Sequence, residues 1–263
     1  MRRLLSFACE DVPLAGSLDA ETGATGLLMV TGGSQTRIGS HRMYERLGKS
    51  LSKNGFPCFR YDRRGVGDSA GEDPGFRGSG ADLAAAAATF RATAKVDRVV
   101  GFGLCDGASA LALFGRAAGL DGLILVNPWL VEAEADAPPP AAIRAYYRKR
   151  LTRVAGWKKI LSGAVDYRKL LNGIGKASAT PEGSPLALDV AASLRAGGLR
   201  AWLILAEGDA TAIGATQELM ARAFAGLIEG REVVKTDSHT FARPGDAETL
   251  LAATIRALRT LAG

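Results

Sequence analysis

The sequence predicts an α/β fold, a mostly parallel sheet covered by helices on both faces and broken by one helical insertion. Short apolar runs that stop at glycines alternate with stretches of helical period along the 263 residues. The alternation resumes after a single interruption, so one sheet spans both halves of the chain. A hydrophobic content of 47% is enough to fill one large core and excludes a disordered chain.

Leu4 to Cys9 and Val12 to Leu18 read as two strands around Glu10-Asp11. Gly26 to Val30 is a short apolar run ending in Thr31-Gly32-Gly33, a buried strand. Ser40 to Ser52 carries Met43, Leu47 and Leu51 at spacing four, a helical stripe, and Gly55-Phe56 ends it before a strand at Pro57 to Tyr61. Gly80 to Ala94 is alanine-rich and helical, Val96 to Phe102 a strand, Cys105 to Ala118 a helix and Leu123 to Val126 a strand. After the interruption come a strand (Leu199 to Ala206), a helix (Thr216 to Ala225), a strand (Arg231 to Thr236) and a last helix (Ala247 to Leu261). The predicted core domain is therefore residues 1–128 and 190–263, with a helical cap insertion at 129–189 over the strand ends. That insertion opens with Ala137-Pro138-Pro139-Pro140 and closes in a Gly/Ser/Pro-rich stretch around Pro181 to Pro185.

The net charge of +6 sits in one segment. Arg144 to Lys169 holds nine basic residues and one acid, a net +8 that leaves the rest of the chain at −2. This pattern speaks against a nucleic-acid-binding protein. It is either a solvated helical face or a surface that meets an anionic partner, such as a lipid headgroup, an acyl-carrier protein or a charged glycan. No apolar run reaches the roughly 20 residues of a membrane span, so no transmembrane segment is expected. The N-terminal Met1 to Leu5 lacks the long apolar region of a signal peptide. Cys9, Cys58 and Cys105 are too few and too far apart for a disulfide framework or a zinc site, which makes a cytoplasmic location the expectation. With two histidines, His41 and His239, the chain calls for no metal and no cofactor.

The chemistry concentrates in Gly101-Phe102-Gly103-Leu104-Cys105-Asp106-Gly107, between an apolar strand and a helix. G-x-S-x-G in this position forms a strained strand-turn-helix that exposes a nucleophile, and here cysteine takes the central place. Glycines two residues to either side let the helix pack close to the strand. The N–H of Asp106 then faces the nucleophile as an oxyanion donor, and the helix N-terminus favours a thiolate, although the Asp106 charge opposes one. A buried structural cysteine is the plain alternative. A dinucleotide fingerprint fits poorly, because the third glycine is displaced and the motif does not follow the first strand.

A thiol nucleophile needs a base, and the base an orienting acid. His239 follows the Arg231 to Thr236 strand, and Asp209 follows the strand before it, so both loops lie on the sheet edge that carries Cys105. Asp237 is the rival acid, but side chains two residues apart usually diverge. His41 reads as a loop-fixing residue. The glycine-rich Thr31-Gly32-Gly33-Ser34-Gln35 is placed to give a second oxyanion donor, from the N–H of Gly33 or Ser34, or else is a plain tight turn.

The chain order Cys, Asp, His matches that of the α/β hydrolases. Phe59 to Ser69 (F-R-Y-D-R-R-G-V-G-D-S) resembles that family's Y/F-D-x-R-G-x-G-x-S segment. Together with Gly32 to Gln35, Gly39 to Arg42, Gly103 to Ser109 and Tyr147 to Leu151, it resembles the exosortase A system-associated hydrolase type 1 proteins, which also carry cysteine at this turn. The resemblance implies an α/β-hydrolase fold and a place beside bacterial exopolysaccharide genes. The reaction expected is hydrolysis of a small-molecule carboxylic ester or thioester through Cys105, His239 and Asp209. Acyl transfer by the same residues is one alternative, and a non-catalytic docking module of polysaccharide export is another.

Overall fold

A computed structural model describes residues 2–20, 22–131 and 183–263 of the chain. Most of the predicted cap, and the whole basic segment from Arg144 to Lys169, lie outside the described residues. No helix among the described residues is long and apolar enough to cross a membrane.

Eight strands form one sheet: β1 (Arg2–Cys9), β2 (Val12–Asp19), β3 (Thr25–Val30), β4 (Cys58–Tyr61), β5 (Arg98–Leu104), β6 (Gly122–Val126), β7 (Ala201–Ala206) and β8 (Ile228–Val234). Their order is β1-β2-β4-β3-β5-β6-β7-β8. Strand β2 runs antiparallel to both neighbours, and every other pairing is parallel. The helices are α1 (Met43–Lys53), α2 (Gly75–Gly78), α3 (Gly80–Ala94), α4 (Asp106–Phe114), α5 (Pro185–Gly197), α6 (Ala210–Leu219) and α7 (Asp246–Ala262).

The period of two along the strands sorts the core into two layers. Leu28, Phe59, Val99, Leu123 and Leu203 pack on one face with Phe90 of α3, Leu111 of α4 and Leu194 of α5. Leu27, Met29, Val100, Phe102 and Ile204 pack on the other with Tyr44 and Leu51 of α1 and Leu258 of α7. Both faces are covered, which is why the central strands read as continuous apolar runs and do not alternate.

Three predicted elements come out differently. The Ser40 to Ser52 stripe is a 3₁₀ turn (Ser40–Arg42) followed by α1, because His41 and Arg42 adopt left-handed φ of 53° and 60°. The helix predicted from Thr216 starts at Ala210, because the Asp209 side chain accepts the Ala212 N–H at 2.9 Å and caps it there. The close of the predicted insertion contains the start of α5, with Ser184 as N-cap and proline at its first position. Helix α5 runs across the predicted boundary at residue 189 and buries Leu186, Val190 and Leu194.

The strand order places the site. The chain leaves β3 toward β4 on one side and returns to β5 on the other, so the loops after β3 and β5 diverge from adjacent strand ends. Val30 and Gly103 are paired across that junction. A crevice outside the carboxyl ends of the strands at such a switch point is where open α/β sheets bind ligands.

Candidate active site

Cys105 sits between the end of β5 and α4, with φ 61° and ψ −129°. Such a conformation is strained for a non-glycine residue and holds only where the surroundings enforce it. Here the Cys105 N–H donates to Val126 O at 3.0 Å, and its carbonyl accepts from Ala108 and Trp129 N–H, both at 3.1 Å. The flanking glycines are required by space. A Cβ on Gly103 would lie 2.7 Å from Ala108 N, and one on Gly107 would lie 2.6 Å from Val30 O.

The two loops on the far side of the sheet bring His239 and Asp209 together. Asp209, buried at the end of β7, accepts from His239 Nδ1 at 3.0 Å through the same Oδ2 that caps α6. Cys105 lies close enough to His239 to raise its pKa, and with Nδ1 taken by Asp209 the ring nitrogen left for the thiol is Nε2. The Asp209 hydrogen bond, and after it the nearby Cys105, raise the imidazole pKa to about 10 against the opposing effect of burial. These neighbours favour the imidazolium form of His239. The rival Asp237 turns outward to Arg243, 3.0 Å away. His41 is exposed, and no hydrogen bond or ion pair among the described residues joins it to Cys105, Asp209 or His239. The other two thiols are inert by contrast. Burial, then the hydrogen bond to Asp82, pushes Cys9 up to about 11, and burial pushes Cys58 higher still.

The oxyanion side is less open than the sequence suggests. Asp106 is the first residue of α4, where a backbone N–H has no intrahelical partner. The Gly33 N–H, however, already donates to Asp106 Oδ1 at 2.6 Å. Ser34 is exposed beside it. The loop carrying both is fastened from below by Asp62, which accepts from the Arg37 backbone N–H and guanidinium and from Asp68 N–H at 3.1 Å. This gives the D-R-R-G-V-G-D-S segment a structural role in positioning the loop.

Two positioning residues escaped the sequence reading. Buried Asn127 donates to His239 O at 3.1 Å and accepts from Ala206 N–H at 2.8 Å, tying the histidine loop to β7. Its signal is an Asn-Pro pair at the end of a buried strand. Buried Tyr44 donates to Val30 O at 2.8 Å and accepts from Leu104 N–H at 3.0 Å, joining the two strand ends beneath the site. It reads in the sequence only as one more core residue of a helix.

The comparisons agree with this architecture. The α/β hydrolase GrgF from Penicillium sp. sh18 superposes with a TM-score of 0.66 at 17% identity, covering 99% of this chain and 98% of its own. The esterase PF2001 of Pyrococcus furiosus gives 0.67 at 15% identity, covering 100% and 91%. A dienelactone hydrolase from Anabaena variabilis gives 0.63 at 14%, covering 97% and 95%. No curated protein matches the sequence. The model of the Hydrolase_4 family, described as serine aminopeptidase, S33, matches residues 34–180, more than half of the chain. With its sheet, its turn after β5 and this match, the chain belongs to the Hydrolase_4 family of α/β hydrolases.

Proposed function

We propose that this hydrolase cleaves a small-molecule carboxylic ester or thioester through an acyl-thioester on Cys105. The observation that carries the reading is the His239 Nδ1 contact to Asp209 at 3.0 Å, with Cys105 near enough to raise the same imidazole's pKa. Sγ attacks the carbonyl carbon, and the carbonyl π electrons move to oxygen. The Asp106 N–H and a donor from the Gly33-Ser34 turn stabilise that oxyanion. Its collapse breaks the bond to the leaving group, which takes the proton from His239 Nε2. Water then adds to the thioester while His239 accepts one of its protons, and a second collapse releases the acid and restores Cys105. Because His239 is protonated at rest, it acts first as an acid and only in the second half as a base.

Thioesters pass their acyl group to alcohols and amines more readily than esters do, so transfer to an acceptor is the second reading, favoured by cysteine at the turn. Added acceptor alcohols would then yield transfer products at the expense of free acid. The resemblance to exosortase-associated hydrolases supports a substrate from bacterial exopolysaccharide metabolism. The basic segment from Arg144 to Lys169 supports an anionic partner. A non-catalytic docking role gives no reason for Cys105, His239 and Asp209 to converge.

Iodoacetamide tests the nucleophile directly. Cys105 is expected to alkylate at least tenfold faster than Cys9 or Cys58, because only an accessible thiolate reacts readily. His239→Ala is expected to slow Cys105 alone, and an unchanged rate would overturn the reading. The raised histidine gives a second test. For an alkyl ester, whose poor leaving group needs the imidazolium, kcat/KM is expected to hold through neutral pH and fall as pH rises through about 10. The Asp209 bond is the largest cause of that raised value, so Asp209→Asn is expected to move this alkaline limb to lower pH. A limb that stays in place would exclude Asp209 as the orienting acid.

A further inference from the structure

The Asp106 side chain occupies the place the proposed reaction needs. Its Oδ1 accepts the Gly33 N–H at 2.6 Å. A Cβ built on Gly32 would lie 2.5 Å from that oxygen and 3.2 Å from Cys105 Cβ, so the carboxylate lies over the Gly32-Gly33 turn next to the nucleophile. A negative oxygen on a backbone N–H beside a helix N-terminus is the arrangement an oxyanion adopts on a pair of donors. A developing oxyanion and a carboxylate cannot share one N–H, since like charges at contact repel strongly away from bulk water.

We propose that Asp106 is a gating residue that fills the second oxyanion donor of the resting enzyme and must leave Gly33 before acylation. The nearby cation that the displaced carboxylate would meet is Arg63. Arg63 borders the small cavity lined by Thr31 and Gly107 and lies within electrostatic reach of Asp106. At rest Arg63 is held by Asp73 at 2.7 and 2.9 Å. The nucleophile's neighbour thus has two roles, its backbone N–H serving the oxyanion and its side chain withholding the partner donor. This inference rests on the Cys105 reading above.

The test separates the oxyanion site from the nucleophile. Alkylation by iodoacetamide displaces iodide at a saturated carbon and forms no oxyanion. Acylation by p-nitrophenyl acetate, read as the p-nitrophenolate burst, does form one. Both reactions use the same thiol, which makes the ratio of the two rates the informative quantity. Asp106→Ala is expected to raise the acylation-to-alkylation ratio about tenfold, a fraction of the 100-fold or more that one donor carries. The gain is expected in kcat with KM little changed. Asp106→Asn keeps the shape and a weaker, uncharged bond to Gly33, so it should fall between wild type and alanine, and it serves where alanine fails to fold. An unchanged or lowered ratio in both variants overturns the gate. Should alkylation of Cys105 prove independent of His239, the catalytic reading fails and the gate with it. Alkylation that depends on His239 alongside an unmoved ratio removes the gate alone.

Discussion

Cys105→Ala is expected to lower turnover of p-nitrophenyl acetate by at least about 10⁴-fold, with the fold intact. Residues that act as one catalytic unit each cost on this order when removed singly. The fold should survive because Cys105 is only half-buried, and the bonds that hold its strained turn run through its backbone N–H and C=O, which alanine retains. The controls are an unchanged melting temperature and far-UV circular dichroism spectrum beside the lost activity. Full turnover by the alanine variant would show that the thiol takes no part in the chemistry. Cys105→Ser is the informative partner. It keeps a nucleophile in the strained turn, but a hydroxyl is far less acidic than a thiol, so its proton stays on oxygen at rest and moves onto the imidazole only during attack. Its residual rate measures how much of the activity depends on holding that proton on His239 at rest.

Asp62→Ala is expected to cost about 3–5 kcal/mol of stability, because it strands a partly buried guanidinium and two backbone N–H groups. Asp62 is fully buried, and the Arg37 side chain it binds is 13% exposed. Arg37 keeps one carboxylate, Asp68 at 2.8 Å, but that group is largely exposed and contributes little. Urea unfolding measures the loss, and a change below about 1 kcal/mol would contradict the assignment. Activity should fall further than stability alone explains, since Arg37 belongs to the loop that carries Gly33 and Ser34. Asp62→Asn, which retains one acceptor of the same shape, should recover part of both.

The sequence made some parts of this site legible and hid others, for physical reasons that differ by residue. Glycines at 103 and 107 are short-range signals, because the helix that follows a turn of this kind cannot approach the strand past a Cβ. His239 and Asp209 were legible because both follow apolar strands, and parallel strands bring such loops to one edge. The bond from Gly33 to the Asp106 side chain was not, since it joins residues 73 positions apart and depends on a rotamer. In the sequence Asp106 shows as a backbone donor, and its carboxylate does not show as an occupant. The start of α6 was misplaced by the same kind of omission, with Asp209 read for chemistry and not for capping. Helix α5 was hidden in a stretch rich in glycine, serine and proline, although Ser184 and Pro185 are a cap and first-turn pair. The paired left-handed residues His41 and Arg42 carry little local signal, since histidine is enriched in that region yet rarely adopts it, and arginine is not enriched.

Asp209 Oδ2 joins two things usually considered apart, the register of a helix and the aim of a histidine. In the proposed mechanism, fraying of the first turn of α6 is expected to release the acceptor that orients the imidazole. The competent alignment therefore lasts only as long as that turn stays wound. Amide exchange at Ala212 is then expected to track the competent alignment, readable without substrate. Warming or mild denaturant should silence the enzyme at the point where that single amide loses protection, well before the eight-stranded sheet gives way.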